Sequence, residues 1–235
     1  MNAVTTTEAA AIGLAAPAFI VHFHSQGTDE WKQARAGVIT ASMFKTARER
    51  LKSGPNKGQP TEAARNYAFR TAIERISKEP LDEGFETWQM KRGHELEPAA
   101  RACHEQHAQV IVDVCGFVTT PDTLFGASAD GLVGPDGGAE YKCLVSPERL
   151  RDTLVLNDIS DFMDQVQGGM WITGRKWWDF CIYCPALAPV GRDFSRWRVP
   201  RDDEYIAALE QDLIEFSRLV DTYEQELRKP LPMAA

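Results

Sequence analysis

The stretch SADGLVGPDGGAEYK, residues 128–142, decides how this chain is read. TLFGAS before its turn and AEYKCLV after it have the character of short strands. Pro135-Asp136-Gly137-Gly138 supplies turn chemistry, with Asp-Gly the favoured hairpin pair. The midpoint between Asp130 and Glu140 is position 135, at the turn, so the two carboxylates face each other across the hairpin. Side chains alternate along a strand, which puts Glu140 and Lys142 on one face. Two acids and one ammonium then converge, as a magnesium-dependent phosphodiester hydrolase requires: acids for the metal, a cation beside the attacking water. A solvated hairpin with an exposed salt bridge satisfies the same string, so D-x9-E-x-K alone leaves both readings open.

Working outward, 235 residues make one domain able to bury a sizeable core. Apolar residues at 43% suit a globular fold, and no run reaches the length of a membrane-spanning helix. AAAIGLAAPAFIV near the start is broken by Gly13 and Pro17 and has no basic region before it. It reads as a flexible lead-in over residues 1–27 that joins an early strand, not a signal peptide. Five cysteines, odd in number and scattered, suit free thiols in a reducing, cytoplasmic setting. Cys181 and Cys184 have metal spacing, but on a strand they point to opposite faces and read as buried small hydrophobes. A net charge of −8 excludes a general polyelectrolyte binder but not a local nucleic-acid channel, because bound metal ions invert the local sign.

Helices are expected at 28–36 (capped by Thr28 or Asp29 and ended by Gly37), after Thr40, at 61–78, and at 86–108 with a kink or restart at Pro98. Tyr67, Phe69, Ile73 and Ile76 are the expected inner side of 61–78. Residues 52–60 read as a polar loop. Strands are expected at 109–119, 123–133 and 139–145, then a connection without pattern over 146–157. A helix at 158–173, strands at 177–184 and 194–199, and a helix at about 202–228 complete the order. The last helix carries an apolar stripe from Ile206 to Tyr223 at helical spacing. This order predicts an α/β (α+β) fold, a mixed sheet with helices on both sides.

Three further blocks stand in order around the hairpin: WKQARAGVITASMF (31–44), RGHELEP (92–98) and DQVQGGMWITGRKWWDFCIYCP (164–185). With SADG and EYKC they resemble the phage lambda exonuclease, or YqaJ-type viral recombinase, family of PD-(D/E)xK nucleases. The resemblance spans Trp31 to Pro185. It implies a restriction-endonuclease-like central mixed sheet in one domain, residues 28–230. It implies a 5′-to-3′ exonuclease that degrades one strand of linear duplex DNA from 5′-phosphorylated ends and leaves 3′ overhangs. It also implies Mg2+ (Mn2+ as substitute, two ions per site), a single-strand annealing partner, a trimeric ring and a phage role inside a bacterial host.

Matched position by position, Asp130 and Glu140 hold the metal, helped by the Tyr141 carbonyl and by Glu97 from a helix. Lys142 orients or deprotonates the water, and Gln165 stands near both. Arg35 and Ser42, with Ser128, match the pocket for the terminal 5′-phosphate; a guanidinium binds phosphate bidentately and a hydroxyl near a helix start adds a donor. Other readings are a salt bridge from Arg35 to Asp29 or Glu30, capping by Ser42, and a helix–sheet seam for Gln165. Ala129 departs from the motif proline and Leu144 from a frequent one. His94 faces DNA or solvent rather than hard magnesium. Trp177 and Trp178 read as core rather than as base-stacking surfaces. An endonuclease of the same fold, or a non-catalytic DNA-end binding module, are the alternatives in function.

Overall fold

The computed structural model describes residues 19–81 and 88–230. In chain order the elements are β1 (Ile20–His22), α1 (Asp29–Arg35), β2 (Ile39–Thr40), α2 (Phe44–Arg48), α3 (Glu62–Ser77), α4 (Trp88–Ala108), β3 (Phe117–Thr119), β4 (Phe125–Ala127), β5 (Gly131–Val133), β6 (Gly137–Lys142), α5 (Pro147–Leu154), α6 (Met163–Thr173), β7 (Trp177–Tyr183), β8 (Phe194–Pro200) and α7 (Asp203–Leu227). The early strand at the end of the lead-in is β1; the remainder of that lead-in, residues 1–18, lies outside the described residues.

The fold is mixed α/β with helices against its sheets, and the strands form two sheets of four, ordered β1-β3-β4-β2 and β5-β6-β7-β8. The first has β2 parallel to β4, and the second has β6 parallel to β7; the other pairings are antiparallel. The strand expected over 123–133 is therefore two strands in different sheets, β4 and β5, with Ser128-Ala129-Asp130 at the crossing. Of the strand expected over 109–119, only Phe117–Thr119 forms; before it, Gln109 adopts φ +54° and Asp113 makes a lone bridge to Leu132. The connection expected over 146–157 holds α5. Its signal was local: Ser146 caps the Arg149 amide and Pro147 takes the first turn, where a missing N–H costs nothing.

The hairpin turn is Gly134-Pro135-Asp136, with Gly134 at φ +53°; Gly137 and Gly138 belong to β6. They serve packing rather than turning, because a Cβ on Gly138 would lie 2.2 Å from the Trp178 ring. Gly169 of α6 meets the same ring from the other side. Trp178, 1% exposed, is thus core as expected, while half-buried Trp177 lies under the Arg198 guanidinium, 3.8 Å from its centroid.

Helix α3 turns a small-residue face inward, Ala64, Ala68, Thr71 and Ala72, which lets α7 approach closely. Phe69 and Ile76, expected inside, are exposed; Phe69 instead meets Tyr223 edge-on at 5.5 Å. The α7 stripe is core: Ile206, Leu209, Leu213, Phe216 and Val220 are buried, each contributing roughly 1.5–3 kcal/mol. Helix α4 runs through Pro98 without a break in assignment.

Candidate active site

The hairpin register sets the centre. Gly131 pairs with Ala139 and Leu132 with Gly138, which carries Asp130 to the place opposite Glu140. The Asp130 carboxylate accepts a 2.7 Å hydrogen bond from the Tyr141 amide. Glu140 is buried, and its Oε1 accepts from Lys142 Nζ at 2.7 Å and from Gln165 Nε2 at 2.6 Å. Lys142 reaches it because both side chains lie on one face of β6, and Gln165 because α6 packs on that face.

Charge crowding shows in the acidities. Burial, then the neighbouring Glu140, push the Asp130 carboxyl well above its ordinary range, with Glu97 adding to this and Lys142 opposing it. Burial alone would make Lys142 more acidic, but Glu140 and Asp130 outweigh it and raise its pKa, so the side chain is an ammonium at neutral pH.

A second centre lies beside the first. Arg35, at the end of α1, donates from Nη1 to Ser128 Oγ at 3.0 Å. Trp31, one turn earlier, donates from Nε1 to the same oxygen at 3.1 Å, and its ring lies 4.2 Å from the guanidinium carbon. Burial lowers the Arg35 pKa to about 10. No ion pair joins Arg35 to Asp29 or Glu30; Asp29 pairs with Lys32 at 3.4 Å, and among the described residues Arg35 has no carboxylate at contact distance. Ser42 is the exposed middle residue of the short 3-10 turn Ala41–Met43, its Oγ 3.3 Å from Thr40 Oγ1, and Thr40 makes no side-chain cap to that turn. One cavity of about 340 Å³ joins the two centres: Arg35, Ser42 and Ser128 line it together with Asp130, Glu140, Lys142 and Gln165.

Comparison with known proteins then identifies the lineage. Residues 30–176 match the model of the YqaJ-like viral recombinase domain. The chain belongs to the YqaJ-like viral recombinase family. Among solved structures, the alkaline exonuclease LHK-Exo of Laribacter hongkongensis is 30% identical, with 86% of this chain and 96% of that one covered and a TM-score of 0.73. The same enzyme is known in complex with dAMP, at the same similarity. A phage-related exonuclease of Haemophilus somnus 129PT shares the fold at 15% identity, a TM-score of 0.61, and 81% and 96% coverage. No curated protein matches the chain. Among the described residues no helix is long and apolar enough to cross a membrane.

Within this YqaJ-like site, most of the sequence-derived residues come together, and Glu97 stands apart. Its Oε1 accepts from Arg101 Nη2 at 2.6 Å, one turn along α4, and it does not line the cavity. Its charge nonetheless acts on Asp130. Tyr141 contacts Asp130 through its amide, where the expectation concerned its carbonyl. His94 is exposed and lines the cavity. Among the described residues no group of three or more His, Cys, Asp and Glu side chains is arranged to hold a metal ion. The donor set still fits one hard cation: two opposed oxygen ligands, one of them raised in pKa by burial and then by its carboxylate neighbour, both of which a divalent ion would offset.

Sequence reasoning gave Trp31 no role. The W-x3-R spacing was its signal, since residues four apart share a helix face.

Proposed function

We propose that this chain is a magnesium-dependent 5′-to-3′ exonuclease that removes nucleotides from one strand of linear duplex DNA and leaves 3′ overhangs. The observation that carries the reading is one cavity that holds a carboxylate–ammonium centre and a half-buried guanidinium bonded to a serine hydroxyl. The first suits phosphodiester hydrolysis and the second a terminal phosphate. The 30% identity to an alkaline exonuclease solved with dAMP supports the same reading.

In this reading Asp130, Glu140 and the Tyr141 carbonyl would hold magnesium, Glu97 would join them if released from Arg101, and two ions per site are expected. Manganese is the expected substitute. When bound, the ion neutralises the carboxylates and acts as Lewis acid toward the phosphoryl group. Glu140 holds the Lys142 ammonium in place, and Lys142 stabilises charge that develops on the phosphate. Gln165 fixes the Glu140 carboxylate from the other side. Arg35, stacked on Trp31 and steadied with it by Ser128, binds the 5′-phosphate, and Ser42 adds a hydroxyl. Such an enzyme serves phage recombination by strand annealing inside a bacterial host, alongside an annealing protein and as a ring-shaped oligomer.

The test is magnesium-dependent digestion of a linear duplex labelled separately at its 5′ and 3′ ends, beside a closed circle. Stepwise release from 5′ ends with the circle intact is the expected result. Cutting of the circle would replace the exonuclease with an endonuclease, and tight end binding without cutting would leave a non-catalytic module. Mass measurement in solution tests the ring.

A further inference from the structure

Behind the catalytic strand lies a buried polar chain that the proposed chemistry does not use. His104 of α4 and Asp179 of β7 are both 0% exposed. His104 Nε2 stands 3.0 Å from Asp179 Oδ2, and Nδ1 stands 2.9 Å from the Tyr141 hydroxyl. An ionised carboxylate only accepts, so Nε2 carries a hydrogen toward Asp179, and Nδ1 shares a hydrogen bond with the Tyr141 hydroxyl. Asp179 also accepts from Arg198 Nε at 3.0 Å, Arg198 Nη2 at 2.9 Å and Arg196 Nη1 at 3.1 Å. One chain of hydrogen bonds thus ties β8, β7, α4 and β6.

Its end point matters most. Tyr141 sits between Glu140 and Lys142, with its side chain on the opposite face of β6. Its amide binds Asp130. On that reverse face Ala100 of α4 packs against Ala139 and Tyr141. His104 follows Glu97 by seven residues, two turns along α4. The His104–Tyr141 bond therefore fixes the helix that carries Glu97 against the strand that carries Glu140 and Lys142. Apolar side chains would fill the space with no desolvation cost, and a buried ionic network is often no more stable than such a replacement. What the network adds is a defined register between helix and strand.

We propose that His104 is a positioning residue for the hydrolytic centre, acting through Tyr141 to hold β6 against α4 in the register that lets Asp130 and Glu140 share a divalent cation, with Glu97 close enough for its charge to act on Asp130. This rests on the hydrolytic reading of those residues. His104→Ala opens a cavity in the core, removes one of the four hydrogen bonds to Asp179 and leaves the buried Tyr141 hydroxyl unpaired, which can prevent folding, so the deciding variant is Tyr141→Phe, which keeps the ring and removes only the hydroxyl. Calorimetric titration of the DNA-free protein with Mn2+ is read beside thermal unfolding, and kcat and KM are measured on a 5′-phosphorylated duplex. The expected result is a half-saturating Mn2+ concentration raised about fivefold and a kcat lowered about tenfold, with KM and the unfolding midpoint nearly unchanged.

An unchanged Mn2+ midpoint with wild-type kcat overturns the proposal. So does a loss of kcat that only follows a loss of thermal stability, since that is a structural role. If the wild type cuts no DNA, the exonuclease reading falls, while the Mn2+ titration of the two proteins still decides the proposal.

Discussion

The hydrolytic centre and the end pocket lie in one cavity but are built on opposite electrostatic plans. Around Asp130 and Glu140 burial, and then negative charge held close by, make one carboxyl a weaker acid than usual, with Lys142 and Gln165 spent on a single oxygen of Glu140. Around Arg35 a partly buried positive charge stands with a serine, an indole N–H and an aromatic face; Glu74 acts on it from a distance, but no carboxylate pairs with it directly. In the proposed reading the first centre would be completed by a divalent cation and the second by a terminal phosphate. A nucleic-acid enzyme with an overall charge of −8 can work because the attraction is local.

Separate damage to the two centres tests this contrast. The largest effect is expected from Lys142→Ala or Asp130→Asn, each lowering hydrolysis ~10³-fold or more on any end, with cooperative unfolding retained. Near-normal cutting by a folded variant would move the chemistry elsewhere. Next, Arg35→Ala should erase the preference for 5′-phosphorylated ends by roughly 10- to 100-fold, the worth of a charge-assisted hydrogen bond, and spare unphosphorylated ends. Equal loss on both kinds of end would take Arg35 out of the pocket.

Gln165→Ala should slow cleavage about tenfold without touching end preference, measured on the same pair of substrates. Ser128→Ala should do the reverse and more weakly, cutting end preference several-fold through one neutral hydrogen bond. The smallest effect is on stability. Asp130 has a folded pKa above its unfolded value, so its contribution is fully present below the unfolded pKa and is lost as pH rises through the folded one. Chelator-treated wild type should therefore weaken relative to Asp130→Asn as pH rises above the ordinary carboxylate range in urea unfolding. A gap that ignores pH would mean that neither burial nor Glu140 raises the Asp130 carboxyl.

Legibility differed between the same two regions. Asp130 and Glu140 could be paired from the spacing around position 135, because strand alternation and turn length are local backbone geometry. The turn, expected over Pro135–Gly138, lies earlier, at Gly134–Asp136, since Gly137 and Gly138 are needed where the Trp177 and Trp178 rings pack against β6. The pocket was reached only through resemblance. Arg35 and Ser128 are 93 residues apart, and no local pattern shows that they meet.

The sequence by itself determined the long apolar stripe of α7, the face shared by Glu140 and Lys142, and the family. These follow from periodicity and from ordered motifs, which need no knowledge of packing. Only the tertiary structure decided that residues 123–133 split between two sheets, that Glu97 is held by Arg101, and that His104 lies behind Tyr141. Each depends on which surfaces meet across long stretches of chain, and that choice is made by the packing of α4 and α6 on the sheets rather than by any residue's own preference.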